Sequence, residues 1–404
     1  MADYPYFFTW ANQSSPTKIE FESNEDHFFV LKNGHKVYDL SSISFQASFG
    51  LNNEKIKEAI KKQLDSFSVV SPKAIFPLKD QATYKLLSHL DGYKRQINAL
   101  DGKVFYTLSG AESVENALKM ARQIKKKNVV LCRERSYHGA SLGALSVTGD
   151  WRNQPHQTVD EWTTRIPEPH NDPFLTQTEL IIKDVGPENI AAFCLETITG
   201  GNGVIIPPES WWQGIQRLCD QYNIFLILDE VICGFQRTGR RFGFHNYPFL
   251  KPHFICMSKG ITGGYIPFGA VWANRDIVEF YNENVLSCGL TSYAHPLGLA
   301  AMDAICDILA DGHFLENIVN LKKMMKGYFL KWEELPNVKE IRTIGLLAAI
   351  EFTSDVTLDF NYFLERGVHL VVQPQTLILS PALTFNKMDL QAALETLNKA
   401  LREL

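Results

Sequence analysis

The chain of 404 residues lacks any apolar run near the roughly 18 residues that a membrane-spanning helix needs, so no membrane partner is expected. It also lacks a strong charge of either sign: 40 Lys and Arg against 45 Asp and Glu leave a net charge of −5. That balance offers no broad electrostatic footprint for nucleic acid. The basic run Lys125-Lys126-Lys127 is short and falls at a predicted helix end, where cations suit the macrodipole. No HExxH spacing and no close pairing of histidines supports a metal site. The seven cysteines are odd in number, scattered and mostly inside apolar runs. They fit reduced thiols rather than a disulfide framework or a zinc site. Met1-Ala2-Asp3-Tyr4-Pro5 has neither a basic nor a hydrophobic leader region. Together with the thiols, this predicts a cytoplasmic protein. A GxGxxG fingerprint after the first strand of the alternating region is missing too, which counts against a nucleotide-binding oxidoreductase.

What is present is an alternation of apolar strands and amphipathic helices. Residues 1–45 read as an arm followed by a hairpin, Phe28–Leu31 and Lys36–Leu40 joined through Asn33-Gly34. A short helix over Lys55–Leu64 places Ile56, Ala59, Ile60 and Leu64 on one face. From about 80 to 260, strands at Val104–Tyr106, Asn128–Leu131, Ile190–Leu195, Ile224–Leu228 and Phe254–Met257 alternate with helices that begin near Glu112 and Glu209. This order predicts an α/β fold with a mostly parallel sheet between helices, within a large domain over 46–295. Helices at about 296–311 and 314–334, strands at Gly345–Phe352 and Val368–Val372, and a helix over 387–402 predict a smaller α+β domain at 296–404. That domain is expected to pack with the N-terminal arm.

The strand Ile224–Leu228 delivers Asp229 to its carboxyl end, and Phe254–Met257 delivers Lys259. In open α/β sheets that edge is where ligands bind. Either charge alone reads as a solvated strand end. Ser109-Gly110-Ala111 follows an earlier strand and opens a helix whose apolar face is Val114, Ala117, Leu118 and Ala121. Exposed N–H groups and the macrodipole there make a phosphate cradle, although a plain Ser N-cap accounts for the same residues. Tyr137-His138-Gly139 follows the next strand and could lay a ring against a flat ligand; a surface loop is the plain alternative. Glu196 ends another strand beside the loop Thr197–Gly201. A phosphate cradle, a stacking aromatic, a buried acid and a lysine are the parts that pyridoxal 5′-phosphate needs. The lysine forms a Schiff base, and the acid keeps the pyridine nitrogen protonated.

With these segments in this order, the chain resembles the class III pyridoxal-phosphate aminotransferases of fold type I. The resemblance runs through "GHKVYDL", "SGAESVENALKMAR", "YHGASLGA", "LDEVICGFQRTGRRFGF", "SKGITGGYIPFGA" and "TSYAHPLGLAA" to "SPALTF". It implies that Ser109, Gly110 and Ala111 hold the phosphate, Tyr137 stacks on the ring with His138 beside it, and Glu196 lies at the cofactor. It implies that Asp229 pairs the pyridine nitrogen, Val231 packs on the other ring face and Lys259 carries the covalent bond. Thr291 is similar to the residue that reaches the phosphate of the neighbouring subunit, which implies a homodimer or larger homo-oligomer. The implied partners are a small-molecule amino donor and a carbonyl acceptor.

Departures from the family narrow the substrate. Where branches that use glutamate or 2-oxoglutarate carry a carboxylate-clamping arginine, this chain has Ile378. Where the amine:pyruvate branch has a mobile arginine, it has Val371. Phe45 falls where amine-preferring relatives line the pocket with an aromatic ring, and Trp10 falls in the arm that in relatives folds over the site; a plain packing role is the alternative for both. Gln236, Ser113 and Cys288 also depart from the usual residues, while Arg237-Thr238-Gly239 and Arg342 are kept. The expected reaction moves an amino group from an ω-amino acid or amine to a keto acid or aldehyde in two half-reactions. An aminomutase or decarboxylase of the same fold, and a non-catalytic cofactor-binding protein, are the alternatives.

Overall fold

The computed structural model describes residues 4–92 and 96–404; the first three residues of the expected arm lie outside the described residues. Near the N-terminus, β1 (Phe21–Asn24), β2 (Phe28–Leu31) and β3 (Lys36–Asp39) form an antiparallel meander, with the hairpin turn at Asn33-Gly34 as expected. Gly34 supplies the positive φ of +81° that this tight turn requires.

Seven strands then build the main sheet: β4 (Lys103–Thr107), β5 (Val129–Arg133), β6 (Thr163–Ile166), β7 (Ile190–Glu196), β8 (Phe225–Asp229), β9 (Phe254–Met257) and β10 (Gly269–Ala273), in the spatial order β4-β10-β9-β8-β7-β5-β6. Pairs β6-β5-β7-β8-β9 are parallel, and β10 runs antiparallel between β9 and β4. β7 and β8 are buried along their whole length, as apolar runs covered on both faces must be. The helix Gly110–Lys125 buries Val114, Ala117, Leu118 and Ala121, the face its spacing predicts.

Two strands of this sheet escaped the sequence reading. β6 is Thr-Thr-Arg-Ile, an edge strand with no apolar run; its Arg165 donates to the carbonyls of Ser146, Val147 and Thr148 and so holds the chain after Tyr137-His138 in place. β10 starts at the end of a stretch read as a motif, and its own residues were not read as a strand. At its start, a Cβ on Gly269 would fall 2.5 Å from the Thr107 hydroxyl and 2.7 Å from the Ser109 carbonyl, so only glycine lets β10 lie this close to β4.

The C-terminal part contributes β11 (Val338–Ile344), β12 (Leu347–Phe352), β13 (Val368–His369), β14 (Val371–Gln373) and β15 (Thr376–Leu379) after the helices Pro296–Ala310 and Gly312–Trp332. The strand predicted at Val368–Val372 is two strands. β13 pairs in parallel with β3 of the N-terminal meander, whereas β14 pairs with β15 in the sheet β11-β12-β15-β14. Leu370, buried between them, marks where the chain leaves one sheet for the other. The last helix, Lys387–Arg402, has the bounds predicted. Among the described residues no helix is long and apolar enough to cross a membrane.

The turn after β8 is fixed by Glu230, which is fully buried. Its carboxylate accepts from the amides of Gly243 (2.7 Å) and Phe244 (2.9 Å) and from the Thr197 hydroxyl, joining three loops beneath the carboxyl edge of the sheet. Burial pushes its pKa up to about 7, opposed by these hydrogen bonds. Glu230→Ala would leave these donors unpaired in a dry site. Its expected cost is about 2–4 kcal/mol, read as a lower urea midpoint with an unchanged slope.

Candidate active site

β8 and β9 are parallel neighbours, with Asp229 beside Cys256 in register, so Asp229 and Lys259 leave the sheet at one edge. Asp229 is buried and both of its oxygens are engaged: Oδ2 accepts from His138 Nδ1 at 2.8 Å, and Oδ1 accepts from the Val231 amide at 3.0 Å. The bond to a carboxylate puts a proton on Nδ1 of His138, and Nε2 is the ring's other polar atom. That Nε2 is buried and has no hydrogen-bond partner.

Lys259 follows β9 with φ +46°, a left-handed conformation rare for a non-glycine residue and frequent at functional sites. Its ammonium nitrogen lies 5.0 Å from the centroid of the Phe45 ring. Burial lowers its pKa to about 8, opposed by the charges of Asp229 and Glu196 and assisted by that of Arg152. Roughly a tenth of the amine is then free at pH 7, against less than about a thousandth for an ordinary lysine.

Other residues expected at the cofactor lie around the same edge. Ser109 caps the helix Gly110–Lys125, accepting from the Glu112 amide at 3.2 Å, while the Glu112 carboxylate accepts from the Leu108 amide at 2.7 Å. The plain N-cap reading thus holds for the Ser109 side chain, and the exposed first-turn amides remain for an anion. A Cβ on Gly110 would fall 3.1 Å from Val231, so this helix end abuts the residue expected on one ring face. Ala111 continues the same turn. Ser113, a departure at sequence level, bridges Thr107 Oγ1 (2.7 Å) and the Met257 carbonyl (3.1 Å) and ties the helix to β4 and β9.

Glu196 sits opposite Asp229 on β7. Its carboxylate accepts from the amides of Tyr137 (3.3 Å) and Gly200 (2.9 Å), so it anchors both flanking loops, and burial raises its pKa. The expectation for Thr291 requires a second copy: the residue is exposed, on the turn before Pro296–Ala310.

Two contrasting groups of side chains lie near Lys259. Phe45, 7% exposed, packs in an apolar cluster with Ile378, Cys233 and Leu347, against which Val371 also lies. Ile378 and Val371 face each other across β15 and β14, so both positions where relatives carry an arginine are apolar here. The second group was missed at sequence level. Arg152 lies among three rings, with its guanidinium carbon 4.7 Å from the centroid of Tyr137, 5.0 Å from Trp151 and 5.4 Å from Trp10. Trp10 meets Tyr137 and Trp151 edge-on at 6.4 and 5.8 Å. Asp150 pairs with Nη1 of Arg152 at 2.5 Å and is itself held by the Asn202 amide at 3.2 Å. The signal available in the sequence was the run Asp150-Trp151-Arg152, an acid, an aromatic and a cation together in the loop after the helix Leu142–Val147.

These residues fit pyridoxal phosphate. The unpartnered His138 Nε2 and the depressed Lys259 amine are buried polar groups that call for a partner, and the helix end at Gly110 leaves backbone amides for a phosphate. Comparison with known proteins agrees. The model of the class-III aminotransferase family matches residues 9–401. An omega-aminotransferase of Caulobacter vibrioides is 29% identical over 402 residues, covering 91% of this chain and 90% of its own. A putrescine–pyruvate aminotransferase of Pseudomonas aeruginosa is 32% identical over 339 residues, covering 74% and 73%. The structure of taurine:2-oxoglutarate aminotransferase from Bifidobacterium kashiwanohense, in complex with PLP and glutamate, superposes with a TM-score of 0.90 at 28% identity, covering 98% of this chain and 94% of that one.

The electrostatics of Lys259 can be checked on the apoprotein. Labelling of Lys259 by an amine-reactive acylating reagent, followed by mass spectrometry, is expected to rise with pH to a midpoint near 8. Asp229→Asn removes an attraction that favours the charged form, so the midpoint is expected to move to lower pH. A midpoint near 10 in both proteins would contradict the account.

Proposed function

The chain belongs to the class-III aminotransferase family, whose members are pyridoxal-phosphate-dependent transaminases, and on that premise we propose that its donor is an ω-amino acid, with the amine and an acid group at opposite ends. The carrying observation is Arg152, held among Trp10, Tyr137 and Trp151 and near enough for its charge to act on Lys259, while Phe45, beside Lys259, packs in an apolar cluster with Ile378 and Val371. A guanidinium held this way, with Nη1 already on Asp150, would seat a carboxylate or sulfonate through its other N–H groups. Its charge acts on Lys259, so amine and acid would be engaged within one pocket. Taurine, named for the solved relative, has that layout, with a sulfonate as the acid. The keto-acid acceptor would place an acid group on the same arginine in the second half-reaction.

Each remaining residue has a task in this reading. When bound, pyridoxal phosphate supplies an electron sink for the charge that develops at the donor carbon and a carbon that accepts the amino group. Asp229, oriented by His138 and the Val231 amide, would hold the proton on the ring nitrogen. The backbone amides of Ser109, Gly110 and Ala111 would take the phosphate, with Tyr137 and Val231 flanking the ring. Lys259 would tether the cofactor at rest. Once released by the donor's amine, Lys259 would take the proton from the donor carbon as a general base, a task for which a pKa of about 8 suits it. Phe45 and Ile378 would keep water from that proton path. Thr291 would serve the partner's site in a homodimer.

Arg152→Met tests the assignment. For an ω-amino acid donor, KM is expected to rise roughly tenfold to a hundredfold, the worth of a charged hydrogen bond. An alkylamine of equal length that lacks the acid group should be little affected. Equal losses for both donors, or full activity with glutamate as sole donor, would overturn the reading.

A further inference from the structure

Phe45 reaches Lys259 by an unusual route. Four consecutive non-glycine residues, Ser42, Ile43, Ser44 and Phe45, have φ of +49°, +43°, +57° and +71°. With ψ of 66° at Ile43 and 48° at Ser44, the segment is a left-handed helical turn. L-residues visit this region singly, because Cβ crowds the next carbonyl oxygen, and a run of four needs outside support.

Two buried charged side chains give that support. Asp39, 3% exposed, accepts through Oδ2 from the Ile43 amide at 2.8 Å. Through Oδ1 it takes the Ser41 amide (3.1 Å), the Ser41 hydroxyl (3.0 Å) and His369 (2.9 Å). From the other side Arg237, 1% exposed, donates through Nη2 to the hydroxyls of Ser42 (3.2 Å) and Ser48 (3.1 Å). Its Nη1 donates to the carbonyls of Pro381 (2.6 Å) and Leu346 (3.3 Å). Ser42 Oγ in turn donates to the Ser380 carbonyl at 2.6 Å, two residues beyond Ile378. The clamp therefore joins the turn to the strand that bears the other half of the apolar wall. Burying an arginine on neutral oxygens is costly, and this site gains little from it except fixed geometry.

We propose that Arg237 and Asp39 are positioning residues that lock Ser42–Phe45 left-handed, and that this locked turn sets the Phe45 wall against Lys259 and so selects the donor. The proposal rests on the reading of Phe45 as a substrate-facing residue. If the turn relaxed to right-handed or extended backbone, the Phe45 ring would leave Lys259, and water would reach the amine.

A double-mutant cycle on the holoenzyme separates the two ideas. Phe45→Ala should raise donor KM roughly tenfold and shift upward the pH at which the visible absorption of the Lys259-linked cofactor titrates. Arg237→Lys and Asp39→Asn, which keep a polar group at each place, should give the same two changes in the wild-type background and little further change in the Phe45→Ala background. No effect of Phe45→Ala on donor KM defeats the reading of Phe45. An effect of Phe45→Ala with fully additive clamp variants defeats the clamp instead. Ser44→Gly and Ser44→Val provide an arm that leaves both charges in place. Glycine accepts the left-handed turn without a Cβ, so Tm should hold or rise with donor KM unchanged. Valine should lower Tm and raise donor KM as the clamp variants do. A Ser44→Val protein with unchanged donor KM would overturn the proposal.

Discussion

A carboxylate buried at the end of a parallel strand is expensive unless partners replace the water it has lost. Asp229 has one partner on each oxygen, His138 from the loop after β5 and the Val231 amide from its own turn. Much of the neighbouring structure exists to make those partners available. Glu196 pins the Tyr137 loop that carries His138, Arg165 holds the chain behind that loop, and Glu230 fixes the turn that carries Val231. Lys259 then emerges on the next strand, near enough for Asp229 to sway its protonation yet buried enough to stay a weak acid. This single carboxylate links the sheet register to the chemistry.

Around that core stand two contrasting clusters. Phe45, Ile378 and Val371 are aliphatic and aromatic, and Arg152 stands among aromatic rings. Relatives that clamp a carboxylate from the β15 side would find hydrocarbon here. A cation nonetheless stands near Lys259: Arg152, beside Tyr137 and paired with Asp150. On the proposed reading, the donor is apolar near the reacting carbon and anionic at its far end.

The sequence revealed those parts whose physics is local. Apolar runs marked β7, β8 and β9, the 3.6-residue period marked the helix after Ser109, and the last helix kept its predicted bounds. Asp229 and Lys259 followed because strand ends carry their next residues to one edge. What stayed hidden depends on partners remote in sequence. β6 is held by neighbours rather than by its own hydrophobicity, and the split of the predicted strand at Leu370 reflects two sheets competing for one segment. Arg152 gains meaning only when Trp10, far away in the chain, closes over it. The left-handed turn at Ser42–Phe45 contains no glycine to announce it, since its support comes from Arg237 and Asp39.

The central claim is that Lys259 and Asp229 are two poles of one cofactor site. Reducing the purified holoprotein with borohydride and mapping the pyridoxyl group by peptide mass spectrometry tests it most directly. The account predicts the group on Lys259 alone, and its loss from Lys259→Ala. A pyridoxyl group on another lysine, or none on a protein that carries the cofactor, would contradict it.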